Sequence, residues 1–419
     1  MAAGGQAAIA AVTPTAGGWS RYRALLAWPD FAAFWTAQSL SLLGDMFSYL
    51  ALAWLVLQMT GSGAQLGAVL AVQGIPRVLL MLVGGALSDH LSARLTMLVS
   101  AAGRTLVAAA LAALVLAHAA QLWEIYVAAF LLGAISAFFI PALTSFLPQL
   151  VPSELLEPGN ASVQLSKQLS VVLGPALAGL TMAAYGPGVA FAVDAACFAL
   201  TACLLLLIRA GIAPGAHRPT AGELLRSVAD GLRYVWQSIP LRAFMTATTV
   251  LNLAFAGPST VGLTVLARQR LGGPAGLGWA LGGFGAGAVI GALVTGSLPA
   301  LRRPGRLLIA VCVWLGVGLT LLGILPNLAT VVVTTFLMGL AVGVVNTFAM
   351  SWTMRFTEQR MLGRVMSLMM LAGFALGPLS YAVAGLLVEI QPAVVFAAGG
   401  ALLILTGLVC VSSRTFRSL

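Results

Sequence analysis

The chain has 419 residues, of which 60% are hydrophobic and 8% are charged, and its formal net charge is +10. A soluble domain carries about 25% charged residues, and one or two soluble cores could not bury so many apolar side chains. The composition therefore excludes soluble, secreted and nuclear proteins and predicts an all-α integral membrane protein. The apolar runs are long and do not alternate, which argues against a membrane β-barrel.

Twelve apolar runs, each long enough to cross a membrane as one helix, divide the chain into two halves. Residues 1–30 are a predicted disordered, cytosolic tail, since residues 1–20 are small and uncharged. The N-terminal half, 31–209, holds spans 1–6 at 31–58, 64–87, 95–118, 121–147, 161–184 and 188–208. The C-terminal half, 240–412, holds spans 7–12 at 240–267, 276–299, 306–325, 327–352, 364–388 and 392–411. Residues 413–419 are a predicted cytosolic tail.

The basic residues predict the orientation of these spans. If both termini are cytosolic, 17 of the 21 lysines and arginines fall in cytosolic segments, and only Arg268 and Arg270 fall in outer loops. This asymmetry is typical of a multi-pass protein in the bacterial inner membrane with both termini in the cytoplasm. The positive charge is thereby explained without a nucleic-acid partner. The remaining two arginines, Arg77 and Arg104, lie inside apolar runs.

A polar linker at 210–239 joins the two halves. Its apolar residues recur near helical spacing among charged ones, which predicts an amphipathic helix on the inner membrane surface. The apolar positions are Leu224, Leu225, Val228, Leu232 and Val235, and the charged ones are Arg226, Asp230 and Arg233.

The two halves also share a weak sequence repeat. The Gly-Pro pair at 174–175 recurs at 377–378, an offset of 203 residues, and the pairs follow Asn160 and Gly363 by 14 residues. Two related halves of six helices around a central path are typical of a transporter.

Two motifs resemble the major facilitator superfamily. The first is Gly85-x-Leu-Ser-Asp89-His-x-x-x-Arg94 between spans 2 and 3, which is similar to the loop motif of that superfamily. It departs at positions 90, 92 and 93, and its second-half copy has Ala300 in place of the aspartate. The second, SVVLGPALAG at 170–179, is similar to the Gly-Pro motif of antiporters, with serine and alanine at two usual glycine positions. The segments at 44–45, 60–62, 150–161 and 362–367 resemble the branch with macrolide exporters and the enterobactin exporter.

The resemblance covers about residues 31–412 and implies a function. It implies the twelve-helix major facilitator fold and a proton-coupled antiporter that exports small amphiphilic organic molecules, such as drugs, macrolides or siderophores, by alternating access. A monomer in the lipid bilayer would need protons but no cofactor. An ATP-driven pump is not expected, because the only lysine, Lys167, is not in a phosphate-binding loop. An intramembrane enzyme is not expected either, because the three histidines form no His-x-x-x-His pair. Alternatives are proton-coupled uptake, facilitated diffusion, or a scaffold that transports nothing.

Four ionisable residues inside apolar runs are candidates for proton coupling: Asp45, Arg77, Arg104 and Asp194. Such a side chain costs several kcal/mol in the membrane unless it is paired or hydrated. Asp45 shares one helix face with Gln38, Ser41 and Ser48, and a low dielectric favours its neutral form. It is either a proton site or a structural partner of Arg104 or Arg77, and both can hold. Asp194 is either a second proton or cation site, or a group that hydrogen-bonds a neighbouring helix or reaches outer water.

The motifs also suggest gating residues. Gly85, Asp89 and Arg94 are predicted to form an inner gate, in which Asp89 lies against the N-terminus of span 11 near Gly363 and Arg364. The alternative is a solvated turn.

The Gly174-Pro175 pair is predicted to bend span 5 and to seal the substrate-loaded state, because proline removes a backbone donor. The alternative is an ordinary packing kink.

Substrate contacts are predicted from polar and aromatic residues at cavity depth, although most such residues only pack. The candidates are Gln38, Gln73, Phe138, Phe139, Asn252, Trp314, Asn346 and Trp352. Span 8 is rich in glycine, at 278, 282, 283, 287 and 291, which predicts close packing against another helix.

Overall fold

The computed structural model describes residue 22 and residues 24–88, 92–208, 221–297 and 304–412. Within these ranges the chain is helical without strands, and twelve segments are long and apolar enough to cross a membrane. The predicted all-α membrane protein with twelve spans is therefore confirmed. The predictions for residues 1–21, for Asp89 and Ala300, and for the C-terminal tail lie outside the described residues.

The first half consists of six helices. They are α1 Pro29–Thr60, α2 Gly63–Ser88, α3 Ala93–Leu116, α4 Leu122–Leu150, α5 Leu156–Tyr185 and α6 Pro187–Leu207. The bounds differ from the predicted spans by five residues at most. The largest difference is the start of α5 at Leu156, because Pro158 is tolerated in the first turn of a helix, where its missing N–H has no partner to lose.

The linker helix α7, Ala221–Gln237, leads into the second half. The helices of that half are α8 Ile239–Gly257, α9 Leu263–Arg270, α10 Pro274–Ser297, α11 Pro304–Leu322, α12 Leu328–Phe356, α13 Leu362–Ala375, α14 Gly377–Ile390 and α15 Pro392–Ser412. Two predicted spans are thus interrupted. A π-helical turn, Pro258–Gly262, joins α8 to α9, and span 11 breaks at Leu376 between α13 and α14.

The two Gly-Pro pairs of the repeat have different backbones. Helix α5 runs without a break across Pro175, whereas span 11 is interrupted directly before Gly377 and Pro378. On α5, Gly174 lies so close to α1 that an added Cβ would be 2.6 Å from Met46 Cγ. Packing of α5 on α1 and α10 on either side of the proline holds that helix together.

We call the side where α1 begins and α15 ends the terminal face, and the other side the opposite face. Within the first half, α1 packs on α5 and α6, α2 on α4, and α3 on α6. Within the second half, α10 packs on α12 and α11 on α15. The two halves meet where α2 packs on α14 and α5 on α10. We call the region between these two contact lines the central space.

Glycines make the contact between the halves close. An added Cβ would lie 2.5 Å from the carbonyl oxygen of Pro175 at Gly278, and 2.5 Å from that of Pro274 at Gly179. On the other line, Gly67 faces the carbonyl oxygen of Tyr381. Backbones in direct contact gain dispersion energy that larger side chains would prevent.

Helix α10 uses its glycines on two faces, whereas their spacing predicted close packing against one helix. Positions 278, 282 and 285 face α5 of the first half, and positions 283, 287 and 291 face α12. One helix therefore joins its own half to the other.

Gly278→Val should destabilise the protein, because the new side chain has no room against α5 and overpacking costs about 1–3 kcal/mol. The melting temperature in detergent should fall by several degrees. Gly296→Val is the matched control on the same helix, since an added Cβ at Gly296 meets no atom within 4 Å. Equal melting temperatures for the two variants would contradict the close contact of α5 and α10.

Candidate functional site

An ion pair joins α1 and α3 in the middle of the first half. Arg104 Nη1 donates to Asp45 Oδ1 at 2.9 Å. The arginine is 4% exposed, whereas 41% of the aspartate side chain is exposed. A buried charge without its partner is strongly destabilising, so each of the two residues holds the other in place. Of the two arginines considered from the sequence, the structure places Arg104 against Asp45.

Two aromatic rings hold the Arg104 guanidinium in place. Its Cζ lies 5.2 Å from the ring centre of Phe139 on α4 and 4.9 Å from that of Phe198 on α6. A cation over an aromatic face is attracted by the ring, and the attraction grows when water is excluded. Phe139 was predicted to contact substrate, but it is buried against Arg104 and instead positions the cation.

Asp194 on α6 lies behind this pair. It is 0% exposed, and neither carboxyl oxygen has a hydrogen-bond partner in the described structure. Gly44 makes room for it, since an added Cβ there would be 2.9 Å from Asp194 Oδ1. Asp45, Arg104 and Ser48 are its polar neighbours. Asp194 does not reach outer water in this conformation, and Ser48 on the neighbouring helix α1 is its hydroxyl neighbour. Both its role as a second proton or cation site and its bonding to a neighbouring helix stay predictions.

Arg77 on α2 lies where the two halves meet. Its Cζ is 5.4 Å from the ring centre of Phe374, at the end of α13. Nearby, the hydroxyl groups of Tyr49 on α1 and Thr260 in the π-helical turn are 2.6 Å apart, and Tyr381 adjoins both. The sequence reasoning missed these polar groups, although a search for tyrosines inside apolar runs would have found two of them.

Two predicted substrate contacts are corrected by their positions. Gln38 is 2% exposed and is covered by neighbouring helices. Trp314 lies on α11, which packs on α12 and α15, and its indole N–H donates to the carbonyl oxygen of Leu337 at 3.2 Å. Gln38 is therefore covered in this conformation, and the Trp314 indole is held against the backbone of α12.

The other predicted substrate contacts stay predictions. Gln73 and Phe138 are partly exposed, and Asn346 is exposed. Asn252 Nδ2 donates to the carbonyl oxygen of Thr248 at 2.9 Å.

The predicted inner-gate residues have partners of other kinds. Arg94 donates to the carbonyl oxygens of Leu205 and Leu206 at 2.9 and 2.8 Å, which caps the C-terminus of α6. Arg364 Nη1 lies 3.3 Å from Asp230 Oδ2 on the linker helix. Gly363 has open space around it, and Gly85 belongs to the last turn of α2. The gate itself stays a prediction, since Asp89 lies outside the described residues.

Two charged residues join the halves at the opposite face, and the sequence reasoning missed this role. Glu389 Oε1 accepts from Ser62 Oγ at 2.6 Å and from the Ala64 N–H at 3.0 Å, at the N-terminus of α2. Arg268 donates to the carbonyl oxygen of Leu57, near the C-terminus of α1. Each charge has the sign that its helix end attracts. These contacts hold the two halves together at the opposite face in this conformation.

Comparison with known proteins identifies the family of this chain. Residues 20–417 match the model of the transmembrane secretion effector family. The chain belongs to this family, which is a branch of the major facilitator superfamily. The predicted superfamily and the predicted function as an efflux transporter are thereby confirmed.

Relatives and solved structures agree with this assignment. The chain is 27% identical over 385 residues to the multidrug efflux pump Tap of Mycobacterium tuberculosis, covering 90% of this chain and 91% of that one. It is 26% identical over 353 residues to Tap of Mycolicibacterium fortuitum, covering 83% and 86%. A variant of the nucleoside transporter NupG shares the fold, with a TM-score of 0.77, 11% identity and coverage of 91% and 99%.

Glu389→Ala should loosen the opposite face, because the α2 N-terminus loses its negatively charged partner. A cysteine placed at Leu57, which is 2% exposed, in a variant whose four native cysteines are replaced by alanine, should react faster with an impermeant maleimide added from that side. Glu124→Ala is the matched control, since Glu124 also lies near the start of a helix but bonds the Gln121 N–H in its own half. Equal labelling rates in the two variants would refute the closing role of Glu389.

Proposed function

We propose that the protein exports small amphiphilic organic molecules in exchange for protons, without a cofactor. The observation that carries this proposal is the ion pair of Asp45 and Arg104. A half-exposed carboxylate can exchange a proton with water in the central space, and its charge then no longer balances that of its buried partner. Family membership supports the export direction.

Protonation of Asp45 would change the charge balance of the first half. A neutral Asp45 no longer balances Arg104, which is buried between two rings and pays a desolvation penalty there. A ligand that binds one conformation better shifts the population toward it. The proton acts as such a ligand, since it favours the conformation in which Arg104 finds another countercharge or water.

The substrate class is proposed from aromatic side chains grouped on α8, α12 and α13. Phe244, Trp352 and Phe356 form an aromatic row, with ring centres 4.9 and 5.0 Å apart, and Phe374 lies under Arg77. Apolar surfaces with few polar groups suit bulky amphiphilic ligands. The name of the Tap relatives, multidrug efflux pump, supports the same class.

The arginine distribution supports an orientation with the terminal face in the cytoplasm of a bacterium. The opposite face, where Glu389 and Arg268 join the halves, would then be the outer one. We propose that the protein works as a monomer in the inner membrane. Proton-coupled uptake or facilitated diffusion would use the same groups, but membership in a secretion family favours export.

Asp45→Asn should abolish proton-driven efflux while the protein remains in the membrane, because amide and guanidinium cannot form the ion pair. A pump-deficient host is given erythromycin, tetracycline, ethidium and enterobactin, and accumulation is measured with and without a protonophore. We expect loss of efflux by about tenfold or more, as for a broken buried pair. Glu154→Gln, which neutralises an exposed carboxylate on the terminal face, is the control.

Two results would overturn the proposal. Full efflux by Asp45→Asn would remove Asp45 from the coupling. Efflux by the unchanged protein that persists after the proton gradient collapses would show a facilitator.

A further inference from the structure

Several buried polar atoms without hydrogen-bond partners are found on α1 and α6. In the described structure these atoms are Gln38 Oε1, Ser41 Oγ, Ser48 Oγ and both carboxyl oxygens of Asp194. The four residues are 2%, 0%, 7% and 0% exposed. Buried polar groups without partners are rare and often mark an ordered water or ion. We call these four residues the α1–α6 seam.

The seam has a direction. Residues 38, 41 and 48 share one face of α1, and Asp194 packs at the level of Gly44. Because α1 starts at the terminal face, Ser41 and then Gln38 lead from Asp194 toward that face. Thr201 of α6 contacts α1 further along, where its hydroxyl donates to the carbonyl oxygen of Ala37 at 3.0 Å. The seam residues are therefore covered by neighbouring helices, whereas 41% of the Asp45 side chain is exposed.

At the level of Asp194, one cation lies near two carboxyl groups. Arg104 pairs with Asp45, and it also rests on Phe198, which follows Asp194 by four residues on the same face of α6. The titratable groups facing Asp194 are Asp45 on α1, Arg104 on α3 and Cys197 on its own helix. Arg104 can balance only one of the two carboxylates at a time.

We propose that Asp194 is a second proton-binding site, and that protons leave it toward the terminal face along the α1–α6 seam. This inference rests on the proposed proton-coupled export. Asp45 binds a proton from the central space when that space is open to the opposite face, and its ion pair with Arg104 breaks. Arg104 then pairs with Asp194, and the proton of Asp194 departs along Ser41 and Gln38.

The cycle closes without a further reactant. The proton on Asp45 later passes to Asp194 as Arg104 returns to Asp45. One proton has then entered at Asp45 and one has left from Asp194, while the charge of Arg104 is unchanged throughout. Substrate can occupy the central space while the proton uses the other route.

The test compares seam variants in proteoliposomes that contain the protein and whichever of the four panel compounds it exports fastest. Asp194→Asn, Gln38→Leu and Ser41→Val should each reduce accumulation driven by a proton gradient by about tenfold or more. Exchange of labelled for unlabelled compound at equal pH should stay within about twofold, because it requires no net proton movement. Proton flux, followed with a trapped pH-sensitive dye, should fall together with accumulation.

Ser39→Ala is the matched control on the same stretch of α1. Its hydroxyl faces α5, where Ser39 Oγ lies 2.7 Å from Ser166 Oγ, so gradient-driven accumulation should be unchanged. If one seam variant does not fold, the other two still decide the result.

Several outcomes would overturn the inference. Seam variants that keep gradient-driven accumulation would leave Asp194 without a role in proton movement. Equal loss of exchange and accumulation would indicate a structural role only. Stimulation by a sodium gradient that Asp194→Asn abolishes would assign the site to sodium instead. If the unchanged protein ignores the proton gradient, the proposed function itself fails, and that result is separate from these.

Discussion

The buried positive charge of Arg104 constrains the whole first half. A guanidinium in an apolar medium must have a countercharge, so α1 has to present Asp45 to α3 at 2.9 Å. Phe139 and Phe198 fill the remaining sides of the cation, which ties α4 and α6 to the same point. Any conformational change in this half must keep the cation balanced. A proton is the smallest ligand that can alter that balance.

The contact between the halves follows a different principle. Here the helices approach through glycine, and backbone meets backbone along α2–α14 and α5–α10. Lipid tails are as apolar as leucine, so close packing and a few polar contacts must replace the hydrophobic effect as the source of attraction. Glu389 and Arg268 add such contacts at the helix ends of the opposite face. These contacts are few and local, which suits an interface that opens and closes.

Sequence patterns predicted the spans well, because about 20 apolar residues in a row have one stable conformation in a bilayer. These patterns predicted fewer of the side-chain contacts in the candidate site. Phe139 and Gln38 are residue types that often contact substrates, yet both lie on buried faces of their helices. For Trp314, depth along the helix did not reveal that its indole N–H bonds the backbone of α12. Glu389 was overlooked because a single glutamate at a helix end carries no motif.

The sequence by itself determined the membrane class, the twelve spans and the four ionisable residues worth examining, because hydropathy and charge act locally along the chain. The tertiary structure decided which of these residues meet. It paired Asp45 with Arg104 rather than with Arg77. It packed Asp194 against Gly44 of α1. It also interrupted span 11, but not span 5, at a Gly-Pro pair. These outcomes depend on helix rotation and on contacts between distant residues, and no local pattern contains that information.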